Sequence, residues 1–121
     1  MASYSVVDVD RLPGEGPGGA VRKVRRALGA RAFGFNHFTL PPNGKGREHD
    51  HADGRQEEVM YVVGGSGVLR VDGDEIELRP GRFVRLDPEA TRLPTAGPEG
   101  LEFVTFGAPV DGRPYEPPDW G

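Results

Sequence analysis

The residues most able to do chemistry are two of the chain's three histidines, His49 and His51. If this segment is extended, side chains two residues apart project from one face, so both imidazoles point toward a common position. Acidic residues follow closely at Glu57 and Glu58. Two imidazoles and one carboxylate can hold a divalent ion, and the spacing therefore predicts a metal site.

Length and composition limit the other functions. The chain has 121 residues, enough for one ordinary domain, and carries 15 basic against 19 acidic residues, a net charge of −4. Neither sign forms a long block, so we expect no nucleic-acid partner. The absence of cysteine excludes disulfides, thiolate ligands and cysteine nucleophiles, and leaves nitrogen and oxygen as metal ligands.

The elements that must position these residues are short strands. With 19 glycines and 12 prolines, the chain is divided into apolar segments of strand length. Asp72-Gly73 between alternating apolar runs predicts a hairpin. Residues 21 to 28 fit a short basic helix or an edge strand, and we favour the strand. The pattern predicts an all-β sandwich or barrel, with strands at residues 4–9, 32–40, 57–63, 67–71, 75–79, 83–86 and 101–106.

The strand that follows the histidines is apolar on both sides. Met60 and Val62 occupy one face, while Val59, Tyr61 and Val63 occupy the other. In so small a domain the outer face must be covered by N-terminal strands or by a second subunit. A homodimer is the commonest way to provide such a cover, and we expect one.

The histidine segment resembles the first motif of the cupin superfamily, specifically its small single-domain members. In that motif a glycine precedes His-x-His, and a glutamate and a second glycine follow. Gly44, His49, His51, Glu58 and Gly65 occupy these positions. The glycine spacing favours Glu58 over Glu57 and Gln56 as the carboxylate position, although a one-residue shift of register would turn Glu58 away. Six residues separate the second histidine from the glutamate, which makes the loop longer than is usual in the family.

The second cupin motif is recognisable but incomplete. Gly73 and Pro80-Gly81 match it, whereas its histidine, the fourth metal ligand in cupins, is absent. That position falls on Arg92, or on Thr91 with a one-residue shift. An inward guanidinium would repel a nearby cation but could bind the carboxylate of a substrate.

The resemblance implies a double-stranded β-helix, or jelly roll, and a function at its centre. His49, His51 and Glu58 would hold iron, manganese, nickel or zinc, with the ion's identity, and whether one is bound at all, left open. A small molecule, conceivably anionic, would contact Arg92, His37, Met60 and Phe103. An enzyme would be of the metal-dependent dioxygenase, isomerase or decarboxylase type. The alternative is a metal-free ligand-binding or structural cupin with Arg92 in place of the fourth ligand.

We divide the single domain into three parts: an N-terminal extension (1–29), the barrel (30–107) and a proline-rich tail packed on it (108–121). The tail carries the only tryptophan, Trp120. Nothing near Met1 resembles a secretory signal, and no stretch approaches the ~20 apolar residues of a membrane helix. We therefore expect a cytoplasmic protein with no membrane partner.

Overall fold

The structure is a computed structural model and describes residues 3–117. A short helix, α1 (Val24–Leu28), and two 3-10 turns, Val9–Arg11 and Pro17–Gly19, lie near the N-terminus. All other regular structure is β. The strands are β1 (Val21–Arg22), β2 (Gly34–Leu40), β3 (Gln56–Val71), β4 (Asp74–Leu78), β5 (Phe83–Leu86) and β6 (Arg92–Pro109).

Two long strands, β3 and β6, organise the fold. They pair antiparallel along nearly their whole length, with register shifts between Val62 and Gly64 and between Gly65 and Gly67. The first half of β3 also pairs with β5, and its second half pairs with β4. Strand β2 extends the arrangement beside β6. The strands thus form an all-β jelly roll, which confirms the predicted fold class.

The core lies between the inner faces of these strands. Directly paired residues share a face, so Met60 and Val62 on β3 lie on the same side as their β6 partners Thr105 and Phe103. Burying about ten such side chains removes apolar surface from water and supplies the main stabilising free energy. The buried apolar residues are Leu40, Met60, Val62, Leu69, Leu78, Val84, Leu86, Ala90, Ala96, Leu101 and Phe103.

The Asp72-Gly73 hairpin forms as predicted. It connects β3 to β4, and both residues have positive φ, 50° and 92°, as a two-residue hairpin turn of this kind requires.

Three sequence predictions about strands need correction. No strand forms at residues 4–9. The 21–28 segment is a strand only over Val21–Arg22 and then a helix, which ends at Gly29 with a left-handed φ of 75°. Strand β6 begins at Arg92, well before residue 101, because its first half pairs with the second half of β3.

The tail contacts the barrel at several described residues. The amide of Val110 donates to the carbonyl of Arg55 at 2.8 Å, and Asp111 lies 3.3 Å from the guanidinium of Arg55. Tyr115 lies so close to Gly34 that a Cβ there would meet the phenol oxygen at 2.7 Å. Burial raises the pKa of Tyr115, and Arg25 opposes the shift. Trp120 lies outside the described residues, so the three-part division of the chain remains a prediction. Within residues 3–117, no helix is long and apolar enough to cross a membrane.

Candidate metal site

The two histidines are held at the rim of the roll by backbone hydrogen bonds. His49 and Arg92 exchange two, with N···O distances of 3.0 and 2.9 Å. The amide of His51 donates to the carbonyl of Pro88 at 2.8 Å. Asp50 lies between them in the sequence, and its carboxylate accepts from the amide of Ala52 at 3.0 Å. The segment is therefore extended, as a shared face for both imidazoles requires.

The three predicted ligands come together. One donor atom from each of His49, His51 and Glu58 lies within 4.8 Å of the others. The imidazole rings are 5.0 Å apart at 87°, and His51 Nε2 lies 3.2 Å from Glu58 Oε2. Although that distance is short, His51 Nε2 is buried and no atom of residues 3–117 forms a hydrogen bond with it. We interpret the two atoms as potential metal ligands that face a shared position.

The His49 ring is oriented by the backbone. Its Nδ1 lies 2.9 Å from the carbonyl oxygen of Arg47, which can only accept, so Nδ1 carries the proton and Nε2 keeps a free lone pair. Burial lowers the pKa of His49 below its ordinary value of 6.5, and the bond to Arg47 opposes this shift. A neutral ring with its second nitrogen fixed by a carbonyl is the form in which histidine binds metal.

The register settles which glutamate faces inward. Glu58 pairs with Leu86 and Gly107 on the inner face, next to Met60. Glu57 points outward and lies 3.3 Å from the guanidinium of exposed Arg85. The prediction of Glu58 from the glycine spacing therefore agrees with the structure.

Arg92 occupies the inner face at the position that the sequence left open. Its side chain is 1% exposed, and its Nε lies 4.0 Å from Glu58 Oε1. Burial lowers the pKa of Arg92, with Glu58 opposing, yet a guanidinium keeps its charge at neutral pH. Thr91 instead pairs with Asp72, whose carboxylate accepts its amide hydrogen at 2.9 Å. Arg92 is thus the residue beside the ligands.

Three other predicted contact residues are not gathered at this site. His37 was expected to border the cavity, but it pairs with Val104 on the outer face, while its neighbour Phe38 faces the core. Its Nε2 lies 2.7 Å from Glu102 Oε2. Strand alternation is the reason for this correction. Met60 and Phe103 are 2% and 3% exposed and belong to the apolar core.

Two groups that shape the site are backbone carbonyls, and sequence inspection missed them. The carbonyl of Arg47 fixes the His49 ring, and that of Asp87 accepts from Arg92 Nη2 at 3.3 Å. Every residue type has a carbonyl, so no side-chain pattern could reveal these roles.

The residues fit a divalent ion in their donor chemistry. Two imidazoles and a carboxylate form a nitrogen and oxygen set suited to iron, manganese, nickel or zinc. The buried Nε2 of His51 has no hydrogen-bond partner among the described residues. A cation would satisfy it.

Comparison with known proteins agrees with this architecture. A family model described as a cupin domain matches residues 36–105. None of the curated proteins searched matches the chain.

Solved structures share the fold at low identity. A cupin protein from Bacteroides fragilis is 20% identical, with 97% of this chain and 93% of that one covered and a TM-score of 0.78. A predicted oxalate decarboxylase from Thermotoga maritima is 20% identical, covering 88% and 100%, with a TM-score of 0.72. A sugar phosphate isomerase from Silicibacter pomeroyi is also 20% identical, covering 88% and 76%, with a TM-score of 0.71. These similarities carry the double-stranded β-helix fold alone.

Proposed function

Because this chain belongs to the cupin domain family, we propose that it binds one divalent metal ion through His49, His51 and Glu58. In this proposal a small molecule binds beside the ion inside the roll. The observation that carries the proposal is the buried His51 Nε2, which lacks a hydrogen-bond partner among residues 3–117 and faces Glu58 at 3.2 Å. Leaving such a nitrogen unsatisfied is costly, and a metal ion removes that cost.

Each residue of the proposed metal site has a separate role. The carbonyl of Arg47 orients His49, and burial keeps that ring neutral. Glu58 contributes the negative charge, and the apolar core beneath it limits access of water. A bound ion with three protein ligands supplies a Lewis acid that polarises an oxygen atom of the small molecule.

Two structural neighbours suggest the class of reaction. Their descriptions, a predicted oxalate decarboxylase and a sugar phosphate isomerase, both concern small oxygen-rich molecules. An enzyme of the decarboxylase, isomerase or dioxygenase type therefore fits the proposal, without a choice among the three. The second candidate is a metal-free binding protein in which Arg92 holds an anion, and the two unpaired nitrogen atoms of that buried guanidinium favour it.

Metal titration of tag-free protein, first stripped with a chelator, tests the proposal. We expect one ion per chain for at least one of Mn²⁺, Fe²⁺, Ni²⁺ and Zn²⁺. An ion at 100 times its dissociation constant should raise the unfolding free energy by about 2.7 kcal/mol. The double variant His49→Ala, His51→Ala should lose both effects.

The chain's remaining histidine provides a matched control. His37→Gln removes an imidazole from the outer face and should leave metal binding unchanged. Equal binding by the wild type and the double variant, or no binding by the wild type either with or without added acetate, would refute the metal site.

A further inference from the structure

The guanidinium of Arg92 is a buried cation whose hydrogen bonds are incomplete. Its Nη2 donates to the carbonyl of Asp87 at 3.3 Å, but Nε and Nη1 are buried and form no hydrogen bond within the described part of the chain. Glu58 Oε1, at 4.0 Å from Nε, is too far for a hydrogen bond. Buried N–H groups without an acceptor lower the stability of the folded state, unless a bound ligand accepts their hydrogen bonds.

The charges around Arg92 determine which kind of ligand can accept these hydrogen bonds. Without a metal ion, Glu58 is the main charge that opposes Arg92, and the exposed carboxylates of Asp50 and Asp72 oppose it more weakly. A divalent ion at the same ligands adds two positive charges beside the buried guanidinium, and of the three carboxylates only Glu58, at 13% exposure, is shielded from solvent. An ion bound to Glu58 would lie close to the guanidinium of Arg92, and the repulsion between them is strong in a partly buried site. The ion therefore binds well only if negative charge enters with it.

We propose that Arg92 makes metal binding depend on a small organic carboxylate, which binds next to the ion and accepts hydrogen bonds from the guanidinium. The inference rests on the proposed function and adds its ligand class. Guanidinium and carboxylate match in charge and in planar geometry, which favours this anion over a larger one. The side chains of His51 and Glu58 are only 19% and 13% exposed, so a ligand that reaches both Glu58 and Arg92 has to be small.

Linkage makes the proposal measurable. If the carboxylate strengthens metal binding by some factor, the metal strengthens carboxylate binding by the same factor. Removing the positive charge of Arg92 should break this dependence in a characteristic way. The ion should then bind more tightly in the absence of carboxylate, because its repulsion by the guanidinium is gone.

The experiment titrates stripped, tag-free protein with Co²⁺, whose absorption spectrum reports its coordination, with and without acetate at constant ionic strength and known free Co²⁺. For the wild type we expect acetate to strengthen Co²⁺ binding about tenfold. For Arg92→Met we expect tighter binding without acetate and less than about a twofold effect of acetate. Arg70→Met removes an exposed, ion-paired arginine of β3 and should behave as the wild type.

The possible failures are distinguishable. Cobalt binding that is unaffected by acetate in the wild type overturns the role of Arg92 but leaves the metal site intact. No cobalt binding under either condition overturns both proposals. An effect of phosphate without an effect of acetate overturns the carboxylate assignment. If Arg92→Met does not fold, Arg92→Lys, which keeps the charge but lacks the planar fork, should retain weak cobalt binding with a reduced effect of acetate. An acetate effect equal to that of the wild type in this variant would contradict the proposal.

Discussion

Glu58 lies between the histidines and Arg92. Its carboxylate faces His51 Nε2 at 3.2 Å on one side and Arg92 Nε at 4.0 Å on the other. In the metal-free protein it is the largest of the charges that compensate the buried guanidinium. With an ion bound, the same carboxylate becomes a ligand and Arg92 loses part of that compensation. Glu58 therefore affects stability as well as metal binding.

Exchanging each of the adjacent glutamates for glutamine separates these roles. In chelator-treated protein, Glu58→Gln should lower the unfolding free energy by about 2 kcal/mol, because it leaves the buried Arg92 without its counter-charge. Glu57→Gln breaks only an exposed pair with Arg85 and should cost less than about 1 kcal/mol. Urea unfolding followed by circular dichroism measures both values. Equal losses would mean that Glu58 does not stabilise Arg92.

At the scale of elements, the bend of β3 holds the site's strand against two partners at once. Between its two halves, Gly65 adopts a φ of 79°, and a Cβ there would collide with the carbonyl oxygen of Gly100 on β6. A glycine is required here both by conformation and by close backbone approach. The bend lets the first half of β3 present Glu58 while the second half pairs with β4.

Alanine substitution at two glycines of positive φ tests this requirement. Gly65→Ala should cost about 3 kcal/mol or more, because conformational strain and a backbone collision add. Gly73 has a φ of 92° but open space where a Cβ would lie. Gly73→Ala should therefore lower the unfolding free energy by only about 1 kcal/mol. Thermal or urea unfolding of both variants gives the comparison. Similar costs would show that the approach of Gly100 relaxes easily.

The same elements show how far the sequence could predict this molecule. His49, His51 and the Asp72-Gly73 turn follow from local spacing and turn chemistry, which survive without tertiary information. The start of β6 at Arg92 could not be predicted in this way. Pro94 reads as a break in the strand, yet it pairs with Leu69 because a strand can accept a proline where no N–H is needed.

Orientation toward the site was the harder part to predict. The placement of His37 on the outer face depends on the register between β2 and β6, in which Phe38 rather than His37 faces inward. A shift of one residue reverses that assignment, and no single-strand pattern fixes it. The unpaired nitrogens of Arg92 likewise arise from contacts between segments distant in sequence.

At the scale of the whole molecule, the outer face of the sheet carries an exposed aromatic patch, next to the polar pairs Glu57–Arg85 and His37–Glu102. Aromatic rings from neighbouring strands lie side by side on this face. The ring centroids of Phe35 on β2 and Phe106 on β6 are 6.2 Å apart, and those of Tyr61 on β3 and Phe83 on β5 are 4.5 Å apart. Phe83 is 68% exposed and Phe106 40% exposed. Contiguous exposed apolar surface of this kind marks an interaction site, and the sequence pattern predicts that a second copy of the chain covers it.

Charge placed on this face should separate the subunits. We expect the wild type to sediment at twice the chain mass, and the double variant Phe83→Glu, Phe106→Glu to sediment as a monomer, because carboxylates cannot be desolvated against the apolar face of a partner. Val68→Glu carries its charge on the outer surface of the other half of the roll, where Val68 is 39% exposed, and should leave the dimer intact. Sedimentation equilibrium over a range of concentrations distinguishes these cases, with circular dichroism to confirm that each variant is folded. A folded double variant that still sediments as a dimer would place the subunit interface elsewhere, and a monomeric wild type would mean that this face has another partner or none.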